Sequence, residues 1–218
     1  MKKLIFLILL VHSFSLVAQK NQLKFGGGIG GVPYEGTPGW NIELQYAYQM
    51  TPRFSGFLSL GTNGGNFTST GRSMGTDGIE TWNNSWQYGF SERLHYVDAG
   101  LRHRIFRVGE NYEFKGAVGA SFAQSVLKYP EQIFINRGVI EQKEDVTRKV
   151  GVGMLLLGVE NRVAVTDRIH ISLSFNYRTT LKERFVLTRT VNYDDGTSSS
   201  TSGILNAVNL ALQFGYSF

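Results

Sequence analysis

The chain has 218 residues, no cysteine and a formal charge of +5. The lack of thiols excludes a disulfide scaffold, a lipid-modified N-terminal cysteine and thiolate metal or nucleophile chemistry. Its 22 basic residues are scattered rather than clustered, which argues against a nucleic-acid surface.

Lys2 and Lys3 precede an apolar run from Leu4 to Val11, followed by Ser15-Leu16-Val17-Ala18. That order is a secretory signal peptide, 1–18, cut after Ala18 or within a residue or two of it. Without it the mature chain, 19–218, carries +3 and makes one domain. No later stretch approaches the length of apolar helix that a bilayer needs. Twenty-six glycines against four prolines, with 13% aromatics, suit many strands joined by turns.

The first strand, from Leu23 to Gly30, alternates with glycine filling much of the pattern. No helix-forming segment or Lys-Ser/Thr pair follows Gly26 to Gly31, so a curved strand explains the glycines better than a phosphate loop. After Pro33 to Gly39, the second strand puts Trp40, Ile42, Leu44, Tyr46, Tyr48 and Met50 on one face. Asn41, Glu43, Gln45, Ala47 and Gln49 take the other. Thr51-Pro52-Arg53 turns the chain into a third strand, Phe54 to Gly61, and a long polar stretch from Thr62 to about Phe90 reads as a loop.

A fourth strand, Leu94 to Ile105, sets Val97, Ala99, Leu101 and Ile105 against Tyr96, Asp98, Gly100, Arg102 and Arg104. After a turn at Arg107 to Asn111, the fifth, Tyr112 to Gln124, opposes Tyr112, Phe114, Val118 and Phe122 to Glu113, Lys115 and Ser121. Lys128 to Lys149 is a second long, charged segment. In the sixth strand, Gly151 to Val165, Leu155, Leu157, Val159 and Val163 oppose Glu160 and Arg162, and its early part is apolar on both faces. Thr166-Asp167-Arg168 leads into a seventh strand, whose Ile169, Ile171, Leu173, Phe175 and Tyr177 oppose His170, Ser172, Ser174, Asn176 and Arg178. A third long segment precedes the last strand, where Val208, Leu210, Leu212, Phe214, Tyr216 and Phe218 alternate with small or polar residues.

Eight strands with alternating short and long connections predict an all-β, antiparallel, up-and-down transmembrane β-barrel with short periplasmic turns and long extracellular loops. A soluble ligand-binding barrel alternates too, with its apolar face inward. Charges on the polar face (Glu43, Asp98, Arg102, Arg104, Glu113, Lys115, Glu160, Arg162 and Arg178) would be costly in such an apolar cavity. Tyr48, Phe54, Tyr112 and Phe114 fall where strands meet short turns, as an interfacial aromatic girdle does.

On these features the mature chain resembles the small eight-stranded outer-membrane barrels: the OmpX type, the OmpA transmembrane domain and the PorT-like "porin family" domains. Tyr96-Val97-Asp98-Ala99-Gly100 resembles the Tyr-Leu-Glu-Ile-Pro segment of PorT-like members, with Asp for Glu and Gly for Pro. The resemblance implies outer-membrane location. It also implies that Phe218, with Tyr216, Phe214 and Leu212, is read by the barrel-assembly machinery. An OmpA-style peptidoglycan-binding domain is not expected, because the chain ends with the barrel.

Three functions are compatible with these residues. The first is a non-enzymatic barrel, its interior filled by the charge network, whose loops bind an extracellular protein or surface polymer. The hairpin-like Gln132 to Ile140 and Phe185 to Tyr193, the latter turned back by Asp194 to Thr197, would offer edges for strand addition, and Trp82 and Trp86 a contact surface. The second is a small channel lined by the same charges. The third is a lipid A ester hydrolase, which His170-Ile171-Ser172 with Glu183 resembles, although Leu173-Ser174-Phe175 departs from that family's pattern. The first is preferred: a monomer among outer-membrane lipid, with no catalytic residue, cofactor or metal. His95 and His103 lie about 27 Å apart along a strand, too far to share an ion. Asp77-Gly78 and Asp194-Asp195-Gly196 read as turns.

Overall fold

The computed structural model describes residues 21–31, 38–76, 81–136, 139–180, 189–193, 198–201 and 206–218. The signal peptide, Glu183, Asp77-Gly78 and Asp194 to Thr197 lie outside these residues. Ten strands follow in order: β1 (Asn21–Gly31), β2 (Pro38–Gln49), β3 (Phe54–Thr76), β4 (Thr81–Val108), β5 (Tyr112–Asn136), β6 (Val139–Ala164), β7 (Ile169–Thr180), β8 (Arg189–Tyr193), β9 (Ser198–Thr201) and β10 (Asn206–Ser217).

Eight of them close a barrel. Each of β1 to β6 pairs antiparallel with the next, and β10 pairs with both β7 and β1. Closure leaves no free sheet edge across the span. At the short-turn end the Asn21 and Phe218 backbones exchange two hydrogen bonds of 3.0 Å, which seals the seam.

Two short turns use one device. In each, a threonine hydroxyl (Thr51 or Thr166) accepts hydrogen bonds from the backbone N–H groups two and three residues later, at 3.3 and 3.0 Å. The hydroxyl thereby pairs donors that the strands cannot reach. A register shift between Arg104 and Phe106 leaves both Ile105 and Phe106 exposed on the outer face. Glycine in β1 permits close approach, since a Cβ on Gly26 would meet the Leu212 carbonyl and the Gln213 backbone of β10.

The strands extend well beyond the expected bounds. β3 leaves β2 after Gly64 but stays paired with β4 to Thr76. β5 and β6 likewise remain paired to Asn136 and Val139. The stretches expected as loops, Thr62 to Phe90 and Lys128 to Lys149, are mainly two protruding hairpins, and Trp82 and Trp86 lie on β4. Polar side chains mask strand character in a sequence because a hairpin in water on both faces has no apolar face to betray its period.

β8 and β9 form a third small hairpin. β8 adds in parallel to β5, matching Gln132 to Thr190 and Ile135 to Tyr193. The β5 edge expected to be open to a partner is therefore covered over Gln132 to Ile135 by the chain itself.

Candidate functional site

Strand alternation fixes the contents of the lumen, where all the described inward charges but Glu92 form three groups. Nearest the long hairpins, Arg178 of β7 reaches across to Asp98 of β4, with Nε–Oδ1 at 3.1 Å and Nη2–Oδ2 at 2.5 Å. Arg178 Nη2 also lies 3.7 Å from Glu43, and its guanidinium stacks 3.8 Å from the Tyr96 ring centroid. Glu43 accepts from the Tyr96 hydroxyl at 3.0 Å and from Gln213 Nε2 at 3.1 Å, and Asp98 accepts from Ser59 at 3.1 Å. The Asn41 side chain donates to the Tyr96 hydroxyl at 2.8 Å, and the Asn209 amide lies 3.0 Å from it.

In the middle, Glu160 of β6 pairs with Lys24 of β1 and, at 2.8 Å, with Arg102 of β4. Arg102 also donates to Gln45 at 2.5 Å and lies 4.6 Å from the centroid of Phe57, which faces inward. At the short-turn mouth one carboxylate, Glu113, meets Arg104 at 3.2 Å, Lys115 at 2.8 Å and Arg162 at 3.0 Å.

All nine charged residues expected in the lumen face it. Sequence reasoning passed over Lys24 and Glu92, both buried. Lys24 was visible between outward Leu23 and Phe25, had the glycine-rich strand been phased. Glu92, which accepts from Ser125 at 3.0 Å, falls in the gap between the expected loop, ending about Phe90, and the expected fourth strand, starting at Leu94.

The interior also holds an apolar layer toward the long hairpins. Leu94, Tyr96, Ala123, Met154 and Ala207 form a buried cluster, and Leu127 and Leu156 are buried too. The double-faced apolar start of the sixth strand is its signature in the sequence. Contacts from β7 to β4, β6 to β1 and β10 to β2 cross the lumen, so the barrel is bridged by side chains through most of its height.

His170 and Ser172 face the lumen near the short turns, and both are buried. A Cβ on Gly215 would run into the imidazole, so the ring occupies the notch that glycine leaves. This places both side chains away from bilayer lipid, which a lipid A hydrolase would have to reach. His95 and His103 are exposed on the outer face. Among the described residues no group of three or more His, Cys, Asp or Glu could hold a metal.

The outer face is an apolar belt, exposing Phe25, Ile42, Leu44, Leu58, Leu60, Val97, Leu101, Val118, Leu157, Leu173 and Leu210 among others. Lipid is the solvent that such a surface fits. Tyr48, Phe54, Tyr112 and Phe114 lie at its short-turn edge, on β2, β3 and β5. Phe106 joins them 5.2 Å from Phe114, and the Tyr112 hydroxyl donates to Asn161 at 2.6 Å. Leu212, Phe214, Tyr216 and Phe218 all point outward, the last 62% exposed.

No protein-family model matches the chain, and no curated protein matches it. Solved structures do. Ail, the attachment invasion locus protein of Yersinia pestis, in complex with the heparin analogue sucrose octasulfate, superposes with a TM-score of 0.52 at 13% identity. That match covers 93% of this chain and 100% of Ail. A major outer membrane protein from Thermus thermophilus gives 0.52 at 16% identity over 93% and 100%. The N-terminal β-barrel domain of Pseudomonas aeruginosa OprF gives 0.50 at 12% over 92% and 97%. The fold is that of the small outer-membrane β-barrels. With its apolar belt, aromatic rim and polar lumen, the chain is an integral outer-membrane barrel. Its short turns face the periplasm and its long hairpins face outward.

Proposed function

We propose that this barrel is a non-enzymatic, monomeric scaffold that holds a partner-binding surface outside the cell. The β3–β4 hairpin carries this reading. Residues 65–76 of β3 and 81–89 of β4 have a strand neighbour on one side only among the described residues, whereas the β5 edge is occupied by β8. An exposed ladder of backbone donors and acceptors is a template for strand addition. The bridged lumen supports the same reading, since it gives the hairpins a rigid base and leaves little room for transport.

The partner class is an extracellular protein or surface polymer. Full-length barrel in nanodiscs would be screened against extracellular-matrix proteins and acidic and neutral polysaccharides, beside a variant with residues 67–88 replaced by a short turn. Binding that the trimmed variant loses and Glu43→Gln retains supports the proposal. Binding indifferent to the hairpin overturns it.

A further inference from the structure

The lower lumen opens at the periplasmic mouth into a vestibule of about 540 Å³, lined by Arg104, Arg162 and Glu113 toward the lumen and by Arg107, Glu110 and Asp167 toward the rim, among others. Its inner wall is unbalanced in charge. Arg104, Lys115 and Arg162 all lie within 3.2 Å of Glu113. Glu113 is the only carboxylate that the described residues bring into ion-pair range of the three. Two positive charges therefore lack a counter-charge.

The layer above does not supply one, because Lys24 and Arg102 share the single carboxylate of Glu160. The acids Glu110 and Asp167 sit exposed at the rim, beside the equally exposed Arg53, Arg107 and Arg168. Arg104 and Arg162, 21% and 15% exposed, line the vestibule, Lys115, 11% exposed, lines the small cleft adjoining it, and Arg162 Nε is buried without an acceptor. Guanidinium groups in such a setting form strong, charge-assisted bonds to oxyanions.

We propose that the periplasmic vestibule binds a compact oxyanion, phosphoryl or carboxylate, held by Arg104 and Arg162 and attracted by the charge of Lys115 in the adjoining cleft. The anion completes the ion pairing that Glu113 begins, and its remaining oxygens face Gln49 and the periplasm. This assignment is independent of any activity of the outer hairpins.

Titration calorimetry on the folded full-length barrel in neutral-lipid nanodiscs would use inorganic phosphate and malonate as probes, with chloride as the background ion. Arg162→Gln and Lys115→Gln are the variants, each first shown to be folded by its heat-modifiable gel mobility. Saturable binding of either probe that weakens about tenfold or more in a folded variant, the value of one charge-assisted bond, is the expected result. Tighter phosphate binding assigns a phosphoryl ligand, and tighter malonate binding a carboxylate. No saturable binding of either probe, or binding that both substitutions leave unchanged, overturns the site.

Discussion

Arg178→Met is the sharpest perturbation of the lumen. Arg178 is fully buried, and its removal deprives two carboxylates of their cation at once. Asp98 would keep only the Ser59 hydroxyl among its side-chain partners here, and Glu43 only Tyr96 and Gln213. Breaking a buried ion pair from one side costs about 3–5 kcal/mol, and a methionine of similar length does not replace the lost charge. With an m-value of about 2 kcal/mol per molar urea, the unfolding midpoint should fall by roughly 2 M. Urea titration in detergent, read by the mobility of unboiled protein on a gel and by tryptophan fluorescence, measures the shift. Adding Glu43→Gln should recover part of the loss by removing one orphaned charge. A cost under about 1 kcal/mol for Arg178→Met would mean that these carboxylates do not depend on the pair, and the bridged-lumen account would fail.

Other substitutions separate the two faces. Leu212→Arg, near the middle of the outer belt, should destabilise by about 2–4 kcal/mol, whereas Phe218→Arg at the rim should cost about 0–1 kcal/mol, both read by the same titration. Gly61→Val should cost about 1–3 kcal/mol, because its side chain would run into the Tyr96 ring, while Tyr96→Ala should relieve that clash in the double variant. Deleting Phe218 should slow insertion into liposomes containing the assembly machinery and leave unassisted folding in detergent nearly unchanged. Equal slowing in both would remove its role as an assembly signal.

Much of the barrel was legible because a strand between lipid and a polar lumen must alternate at every step, as β2, β7 and β10 do. That period fixed the direction of each of the nine charged side chains expected in the lumen. Legibility failed where one of the two environments ended. Glycine blurred the phase of β1 and hid Lys24, and an apolar lumen layer at Met154 and Leu156 made the start of β6 look unphased. Above the bilayer, β3, β4, β5 and β6 lack a lipid-facing side, so residues 65–90 looked like a loop. The parallel docking of β8 on β5 joins segments more than fifty residues apart, and local pattern carries no trace of such a pairing. The strand character of Arg189 to Tyr193 could be read, but not the edge that it covers.

Single-channel recording of the folded barrel in planar bilayers tests the central claim most directly. Side chains that cross the lumen, from Arg178 to Asp98 and from Lys24 to Glu160, predict a silent bilayer at moderate voltage. Discrete, reproducible openings whose conductance changes with Arg102→Gln or Glu43→Gln would contradict the bridged interior and move the working surface from the hairpins to the lumen.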